Sequence, residues 1–87
     1  MRSVKPIVWQ KHALDVLAER KLEAAWVEKA VREPERRESD PDDPEVERRY
    51  RTIPERGGRT IRVACVENEQ EIRIVTAFLD RKARRIR

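Results

Sequence analysis

Apolar and polar residues alternate in two runs near the end of the chain, residues 59–67 and 71–79. Alternation with a period of two is typical of β-strands, because successive side chains point to opposite faces of a sheet. A short polar segment, residues 68–70, separates the runs and is suited to a turn. Both faces of the runs are rather apolar, so we predict a central pair of strands that another layer must cover.

The alternation also predicts which side chains of this pair share a face. In the first strand, Ile61, Val63 and Cys65 point one way. An uninterrupted second strand puts on one face Ile72, Ile74, Thr76 and Phe78, and on the other Arg73, Val75, Ala77 and Leu79. Cross-strand pairing then makes Arg62 and Arg73 opposable, on the face away from the covering layer.

The covering layer is predicted upstream, where the apolar spacing becomes helical. Within residues 11–21 the apolar positions recur at i, i+3 and i+4: Leu14, Leu17 and Ala18. A second helix begins near Glu23, and its apolar stripe consists of Trp26, Val27, Ala30 and Val31. Pro34 stops this helix, because proline disfavours helical backbone in the residue before it. The short link between the helices favours a helical hairpin or corner lying on the sheet.

Three further segments complete the predicted order. Residues 4–9 are predicted to form a short edge strand, since a proline without an N–H is tolerated at an edge. Residues 33–45 hold three prolines and clustered acids, which indicates a mobile acidic loop. Residues 46–53 alternate again and are predicted to be a strand, which Gly57-Gly58 turns back into the central pair.

The predicted fold is α+β with the order β-α-α-β-β-β, in one domain over residues 1–87 with a basic tail at 81–87. Two helices pack on one face of a mostly antiparallel, curved sheet. The chain has 87 residues, of which 38% are hydrophobic and 44% are charged. Such a chain has a small core, and oligomerisation, for example as a homodimer, is a natural way to bury more surface.

Compartment and charge narrow the function classes. No apolar run approaches 18 residues, so no membrane partner is predicted. Cys65, the only cysteine, is expected to be a buried structural thiol, and we therefore predict a cytoplasmic protein.

The net charge of +4 is unevenly distributed along the chain. Residues 33–47 carry two Arg against eight acids, and residues 48–87 carry twelve Lys/Arg against five acids. A basic C-terminal half suits phosphate contacts. The alternative is a solvated Arg/Glu-rich surface with many weak ion pairs. From the charge alone, this alternative is favoured over phosphate binding.

Short motifs along the chain resemble those of a known family. They are His12-Ala13 at the start of the first helix, Trp26-Val27 in the second followed by Pro34, and IVTAF followed by Asp80-Arg81. Over about residues 8–82 the chain resembles the small bacterial proteins grouped as domain of unknown function 4258. That group is distantly similar to BrnT-like and RelE/ParE-like toxins of toxin–antitoxin systems.

The resemblance implies a RelE-like fold and several possible activities. Active members of that fold bind or cut RNA with the exposed sheet surface, and many are neutralised by an antitoxin that wraps it. Members of ParE type act on DNA gyrase instead. Fold membership alone does not choose among these activities.

RNA cleavage without a metal needs a base, an acid and a cation, and four residues are candidates. These predicted catalytic residues are His12, Tyr50, Arg62 and Arg73. Each also has a structural interpretation: a helix start for His12, a half-buried aromatic for Tyr50, and ion pairs with nearby acids for the arginines. Further cations predicted to contact nucleic acid are Arg48, Arg49, Arg51, Arg81, Lys82, Arg84 and Arg85.

No metal or cofactor is predicted. One histidine and one cysteine do not make a zinc site of the usual kind, and neither GxGxxG nor GxxxxGK[ST] is present. Three functions stay open. The first is a toxin-like RNA-binding protein or ribonuclease, which has an antitoxin as its partner and RNA or the ribosome as its target. The second is a non-enzymatic module that dimerises or binds a partner by strand addition, and the third is a toxin relative that has lost its activity. The first is preferred.

Overall fold

Two helices pack against one face of a five-stranded, mostly antiparallel sheet in the computed structural model, which describes residues 5–80. The elements are β1 (Ile7–Trp9), α1 (Lys11–Arg20), α2 (Ala24–Arg32), β2 (Arg36–Ser39), β3 (Glu47–Ile53), a 3₁₀ turn (Pro54–Arg56), β4 (Arg59–Glu67) and β5 (Ile72–Asp80). The sheet order is β1-β5-β4-β3-β2, and β1 pairs parallel with β5. The predicted α+β fold is confirmed, with β4 and β5 in the interior of the sheet. The predicted tail lies outside the described residues.

Each helix buries one apolar side, but on α1 it is not the predicted one: of the predicted stripe only Leu17 is buried, whereas Leu14 and Ala18 are exposed. Ala13 and Leu17 of α1, and Val27 and Val31 of α2, are all buried in one core cluster. α1 ends at Lys21, whose backbone adopts a left-handed conformation with φ of 55°. None of the helices in residues 5–80 is long and apolar enough to cross a bilayer.

The core lies between these helices and the sheet. α1 packs on β5, and α2 packs on β3 and β4. The sheet side chains with 0% exposure are Ile61, Val63, Cys65 and Ile74, and all belong to the same cluster as the helix residues. We term this side of the sheet the helix-side face and the other side the open face, over which no described helix lies.

The acidic segment contains a strand that the sequence did not indicate. A loop over the whole of residues 33–45 is a wrong prediction, because Arg36–Ser39 form β2 and pair antiparallel with β3. All four residues of β2 are exposed, so the strand has no apolar face and no alternation that could reveal it. Beyond β2, Asp40 Oδ1 accepts hydrogen bonds from the N–H groups of Asp42 and Asp43, at 2.8 and 3.2 Å.

A β-bulge in β5 changes which side chains share a face. Cys65 pairs with Ile74, but Ala64 pairs with Thr76, so Val75 is an extra residue in the strand. The predicted face of β5 that held both Ile74 and Thr76 is therefore wrong. Inward-facing positions resume one residue later than an uninterrupted strand would place them.

The bulge has a second consequence for the open face. Ala77 is buried in the core cluster, and Phe78 turns to the open face, where it pairs with Arg62 of β4. Arg73 pairs with Val66, four residues further along β4. The predicted cross-strand opposition of Arg62 and Arg73 is wrong, although both residues lie on the open face.

We expect Ile61→Ala to lower the free energy of unfolding by about 2–5 kcal/mol, because it leaves a cavity where the side chain has no exposure. Leu14→Ala is the matched control, since Leu14 of α1 is 50% exposed, and its effect should stay within about 0.5 kcal/mol. Urea unfolding followed by circular dichroism measures both. Equal losses would contradict the assignment of the core.

Candidate functional site

Four side chains form a row across the open face, one from each of four neighbouring strands. They are Arg36, Tyr50, Arg62 and Phe78, and the register pairs each one with the next. The Arg36 guanidinium carbon lies 4.1 Å from the centre of the Tyr50 ring, and that of Arg62 lies 4.3 Å from the centre of the Phe78 ring. Both distances are within the range of cation–π interactions. We term these four residues the arginine–aromatic row.

Tyr50 is held firmly within this row. Tyr50 is only 4% exposed, and its hydroxyl donates a hydrogen bond of 2.6 Å to Glu38 Oε2. Arg36 covers its ring. The phenol is thus bound to a carboxylate and shielded from solvent, which favours the structural interpretation of this residue.

The open-face arginines are paired loosely with carboxylates. The nitrogen–oxygen distances are 3.4 Å for Arg48–Asp40, 3.7 Å for Arg62–Asp80, 3.9 Å for Arg36–Glu38 and 3.4 Å for Arg73–Glu71. Charge-assisted hydrogen bonds are about 2.7–2.9 Å long, so these contacts are longer than strong hydrogen bonds. Arg73 donates two such long hydrogen bonds to Glu71 Oε2, both at 3.4 Å. The backbone N–H of Asp42 lowers the pKa of Asp40, with help from the nearby Arg48, so that carboxylate is charged at neutral pH.

Arg49, the next residue after Arg48, faces the other way and is tightly bound. It is 3% exposed, and its guanidinium donates to Glu47 Oε1 at 2.6 Å, to the Val31 carbonyl at 2.8 Å and to Glu67 Oε1 at 2.5 Å. These bonds tie α2, β3 and β4 together. Its predicted contact with nucleic acid does not fit this buried position.

Arg51 also lies on the helix-side face, where its guanidinium donates to the Glu33 carbonyl at 2.5 Å. Arg51 pairs with the buried Ile61, so its side chain lies on the opposite face from the arginine–aromatic row, although Tyr50 is its neighbour in the chain. Of the three arginines of β3 predicted to contact nucleic acid, only Arg48 lies on the open face.

The ion network around Arg49 shifts the pKa of its partners. Hydrogen bonds from Lys5 and Arg49 lower the pKa of Glu67 to about 2. Burial opposes ionisation of Glu47, but hydrogen bonds from Arg49 and Arg37 outweigh it and lower the pKa of that carboxyl. Cys65 is buried, as predicted, and burial raises the pKa of its thiol to about 11.

The structure does not bring the four predicted catalytic residues together. Tyr50 and Arg62 are neighbours in the arginine–aromatic row. Arg73 shares the open face but lies beside Val66, toward the far end of β4. His12 is exposed in the first turn of α1, in the helical layer on the other side of the sheet.

The open face is balanced in charge rather than basic. Its four arginines each have a carboxylate partner, as given above. Residues 5–80 together carry 15 Lys/Arg against 17 Asp/Glu, a net charge of −2, so the +4 of the whole chain comes from residues outside this range. The predicted contacts Arg81, Lys82, Arg84 and Arg85 are among those residues, and the structure does not describe them.

Sequence reasoning missed half of the row. Phe78 was placed on the wrong face because nothing in the sequence marks Val75 as an extra residue. Arg36 was assigned to a loop, together with its partner Glu38. The charged residues Arg36, Arg37 and Glu38 are compatible with a solvent-exposed edge strand, but they carry no period that distinguishes such a strand from a loop.

The geometry defines a small α+β domain whose open sheet face carries paired arginines and aromatic rings. Residues 9–79 match the family model described as Domain of unknown function (DUF4258). The chain belongs to this family, as its short motifs predicted. No curated protein and no solved structure matches the chain. The relation to toxins stays a prediction.

We expect Arg49→Met to lower the free energy of unfolding by roughly 3 kcal/mol, because it leaves the Val31 carbonyl without its side-chain donor and removes one of the two cationic donors from each of Glu47 and Glu67. Arg48→Met is the matched control on the open face of the same strand. Its partly exposed ion pair with Asp40 lies at the surface and should contribute much less to the free energy of unfolding than the buried contacts of Arg49. Thermal and urea unfolding of the two variants measure the difference, and a larger loss for Arg48→Met would contradict it.

We expect stability to fall as the pH is lowered from about 4.5 to about 2. The pKa of Glu67 is about 2 in the folded protein and 4.5 ordinarily, so its stabilising contribution is complete above the upper value and disappears below the lower one. The side chain is 31% exposed, which limits the contribution to about 1–2 kcal/mol. Unfolding at several pH values should show this loss in the natural protein and in Glu69→Gln, an exposed control. A Glu67→Gln variant that keeps the full acid dependence would contradict the assignment.

Proposed function

We propose that this protein is a toxin–antitoxin-type RNA-binding protein, and that its open face binds single-stranded RNA. One observation carries the proposal. The open-face arginines are separated from their carboxylates by 3.4–3.9 Å, whereas the buried Arg49 is bound at 2.5–2.8 Å. Arg49 is committed to the fold, and the open-face arginines remain available to a stronger anionic ligand.

RNA phosphate is such a ligand. A guanidinium and a phosphate form two parallel, charge-assisted hydrogen bonds of about 2.7–2.9 Å. The open-face carboxylates, at 3.4–3.9 Å, do not make such short bonds. Replacing a carboxylate by a phosphate exchanges one anion for another, so no arginine is left without a counter-charge. Exposed ion pairs such as Arg36–Glu38 contribute little to stability, so little is lost when they open.

The aromatic rings of the row suit RNA rather than a simple inorganic anion. Single-stranded bases stack on aromatic rings and on guanidinium planes, without any need for a particular sequence. Phe78 is partly exposed on the open face, and Arg62 and Arg36 lie over rings of the row. The row therefore offers surfaces for bases next to donors for phosphates.

The proposal is binding and not cleavage. An acid or base must lie within hydrogen-bond reach of the proton that it transfers. His12 is in the helical layer on the opposite side of the sheet from Arg62, and the hydroxyl of Tyr50 is already donated to Glu38. An antitoxin partner, implied by the resemblance to toxins, would cover the same open face and compete with RNA.

We expect Arg62→Ala to weaken binding of a fluorescein-labelled 12-nucleotide single-stranded RNA about tenfold. One charge-assisted hydrogen-bonded contact contributes about 1.5 kcal/mol or more, which corresponds to this factor. Arg59→Ala is the matched control, because Arg59 is an exposed arginine of the same strand whose side chain belongs to the helix-side face. Fluorescence anisotropy at low and moderate salt measures the dissociation constants.

Two results would contradict the proposal: no binding of the RNA by the natural protein, or equal losses from the two substitutions. The toxin aspect has its own readout. Expression in a bacterial host should arrest growth, and Arg62→Ala should relieve the arrest while Arg59→Ala does not. Normal growth with intact RNA binding would keep the RNA-binding proposal and remove the toxin assignment.

A further inference from the structure

We infer that Arg20 of α1 is a further RNA contact at the β5 end of the arginine–aromatic row, and that a bound RNA strand crosses the sheet from β2 to β5 toward it. The inference rests on the proposed function, because it adds a contact to the same surface. Arg20 is the last residue of α1, so its backbone belongs to the helical layer and only its side chain reaches the row.

The Arg20 side chain lies at an edge of β5 that no other strand covers. β1 pairs only with residues 72–74, so within residues 5–80 no strand pairs with the outer edge of residues 76–80. The Arg20 guanidinium donates a hydrogen bond of 3.0 Å to the Ala77 carbonyl and also lies near the ring of Phe78. Since α1 packs on one face of the sheet and Phe78 faces the other, a guanidinium that contacts both residues lies beside the edge of β5.

Arg20 stands next to the aromatic ring that ends the row. Its guanidinium carbon is 5.7 Å from the centre of the Phe78 ring, and that of Arg62 is 4.3 Å from the same point. The two guanidinium carbons are therefore at most 10.0 Å apart, the sum of these distances. Phosphates follow one another about every 3.4 Å along each strand of a double helix, so two cations at this separation can contact one short segment of a strand.

The charge of Arg20 is not neutralised by a nearby carboxylate. Each of the four open-face arginines has such a partner, and that of Arg62 is Asp80 at 3.7 Å. Arg20, by contrast, has no carboxylate of residues 5–80 within 4.0 Å, and its hydrogen bond goes to a neutral carbonyl. A phosphate that binds Arg20 therefore displaces no anion, unlike a phosphate that binds an open-face arginine.

The hydrogen bond to Ala77 holds the guanidinium in place without using up its donors. A guanidinium has five N–H groups, and this bond occupies one of them. The others remain available to phosphate oxygens while Arg20 stays bonded to β5. Because the long side chain is already held in position, less conformational entropy is lost when a phosphate binds. A purely structural role, the protection of the β5 edge, would leave the salt dependence of RNA binding unchanged.

The position of Arg20 gives the direction in which the RNA crosses the sheet. Neighbouring strands are about 4.8 Å apart, so the row from Arg36 on β2 to Phe78 on β5 spans roughly 14 Å, or roughly 20 Å with the step to Arg20. A strand of about six nucleotides covers this length at about 3.4 Å per nucleotide. Laid along the row, it has one end near Arg36 and the other near Arg20.

The salt dependence of RNA binding tests the contact. Loss of one phosphate contact makes the slope of log K against log salt less negative by about 0.7 for a single strand. We expect this change for Arg20→Gln, with binding weakened about tenfold at low salt. Arg20→Lys should keep the slope, because lysine retains the charge. Lys11→Gln, which removes a charge from the other end of α1, is the matched control and should also keep it. Circular dichroism checks that each variant is folded.

End-labelled RNA tests the direction. A hexanucleotide with a nitroxide at one end should broaden the Nε–Hε resonance of Arg20 or of Arg36 in nuclear magnetic resonance spectra, and moving the label to the other end should broaden that of the other arginine. An unchanged salt slope for Arg20→Gln, or equal broadening of both arginines by either label, would overturn the inference while the proposed function stands. Absence of RNA binding by the natural protein would overturn both.

Discussion

Val75 is the extra residue in β5, and the bulge that it makes determines the direction of every side chain after it. Because of it, Ala77 is buried beneath the helices and Phe78 stands beside Arg62 on the open face. A strand of regular alternation would place Phe78 on the same side as Ile74 and would remove the last ring from the arginine–aromatic row. The bulge thus places Ala77 in the core and Phe78 in the candidate site.

Arg48 and Arg49 are neighbours in β3, but they lie on opposite faces of the sheet and have different roles. Arg49 is buried, bound to two carboxylates and a carbonyl, and joins α2 to β3 and β4. Arg48 is partly exposed and lies 3.4 Å from Asp40. A guanidinium withdrawn from water is costly unless its donors are satisfied, whereas one at the surface keeps its hydration. The first is therefore part of the fold, and the second is open to a ligand.

Much of the fold could be predicted because most of its elements have one apolar side. Leu17 of α1 and Val31 of α2 each belong to an apolar series at helical spacing, and Ile61 and Val63 alternate with polar residues as in a strand. These patterns predict the helices and the central strands. β2 has no buried side, and its residues carry no such period. Periodicity identifies only those elements that bury one face.

The candidate site was harder to predict because it depends on register and not on local pattern. The sequence gives no signal that Val75 is bulged, so alternation puts Phe78 on the same face as Ile74 and not beside Arg62. The predicted opposition of Arg62 and Arg73 is wrong independently of the bulge, because the register at the turn already pairs Arg73 with Val66. The alternation in residues 46–53 implies that Arg48 and Arg49 point to opposite faces, as they do in the structure, but it does not indicate which face the helices cover. The imidazole of His12 makes it a candidate on chemical grounds, but only the packing of α1 on β5 places it in the helical layer.

The central claim is that the open face around Arg62 is the surface that binds RNA. Nuclear magnetic resonance of the arginine side chains during titration with a short single-stranded RNA tests it most directly. The Nε–Hε resonances of Arg36, Arg48 and Arg62 should shift with increasing RNA, while that of the buried Arg49 should not. Shifts confined to α1 and α2, with the three open-face arginines unchanged, would contradict the account.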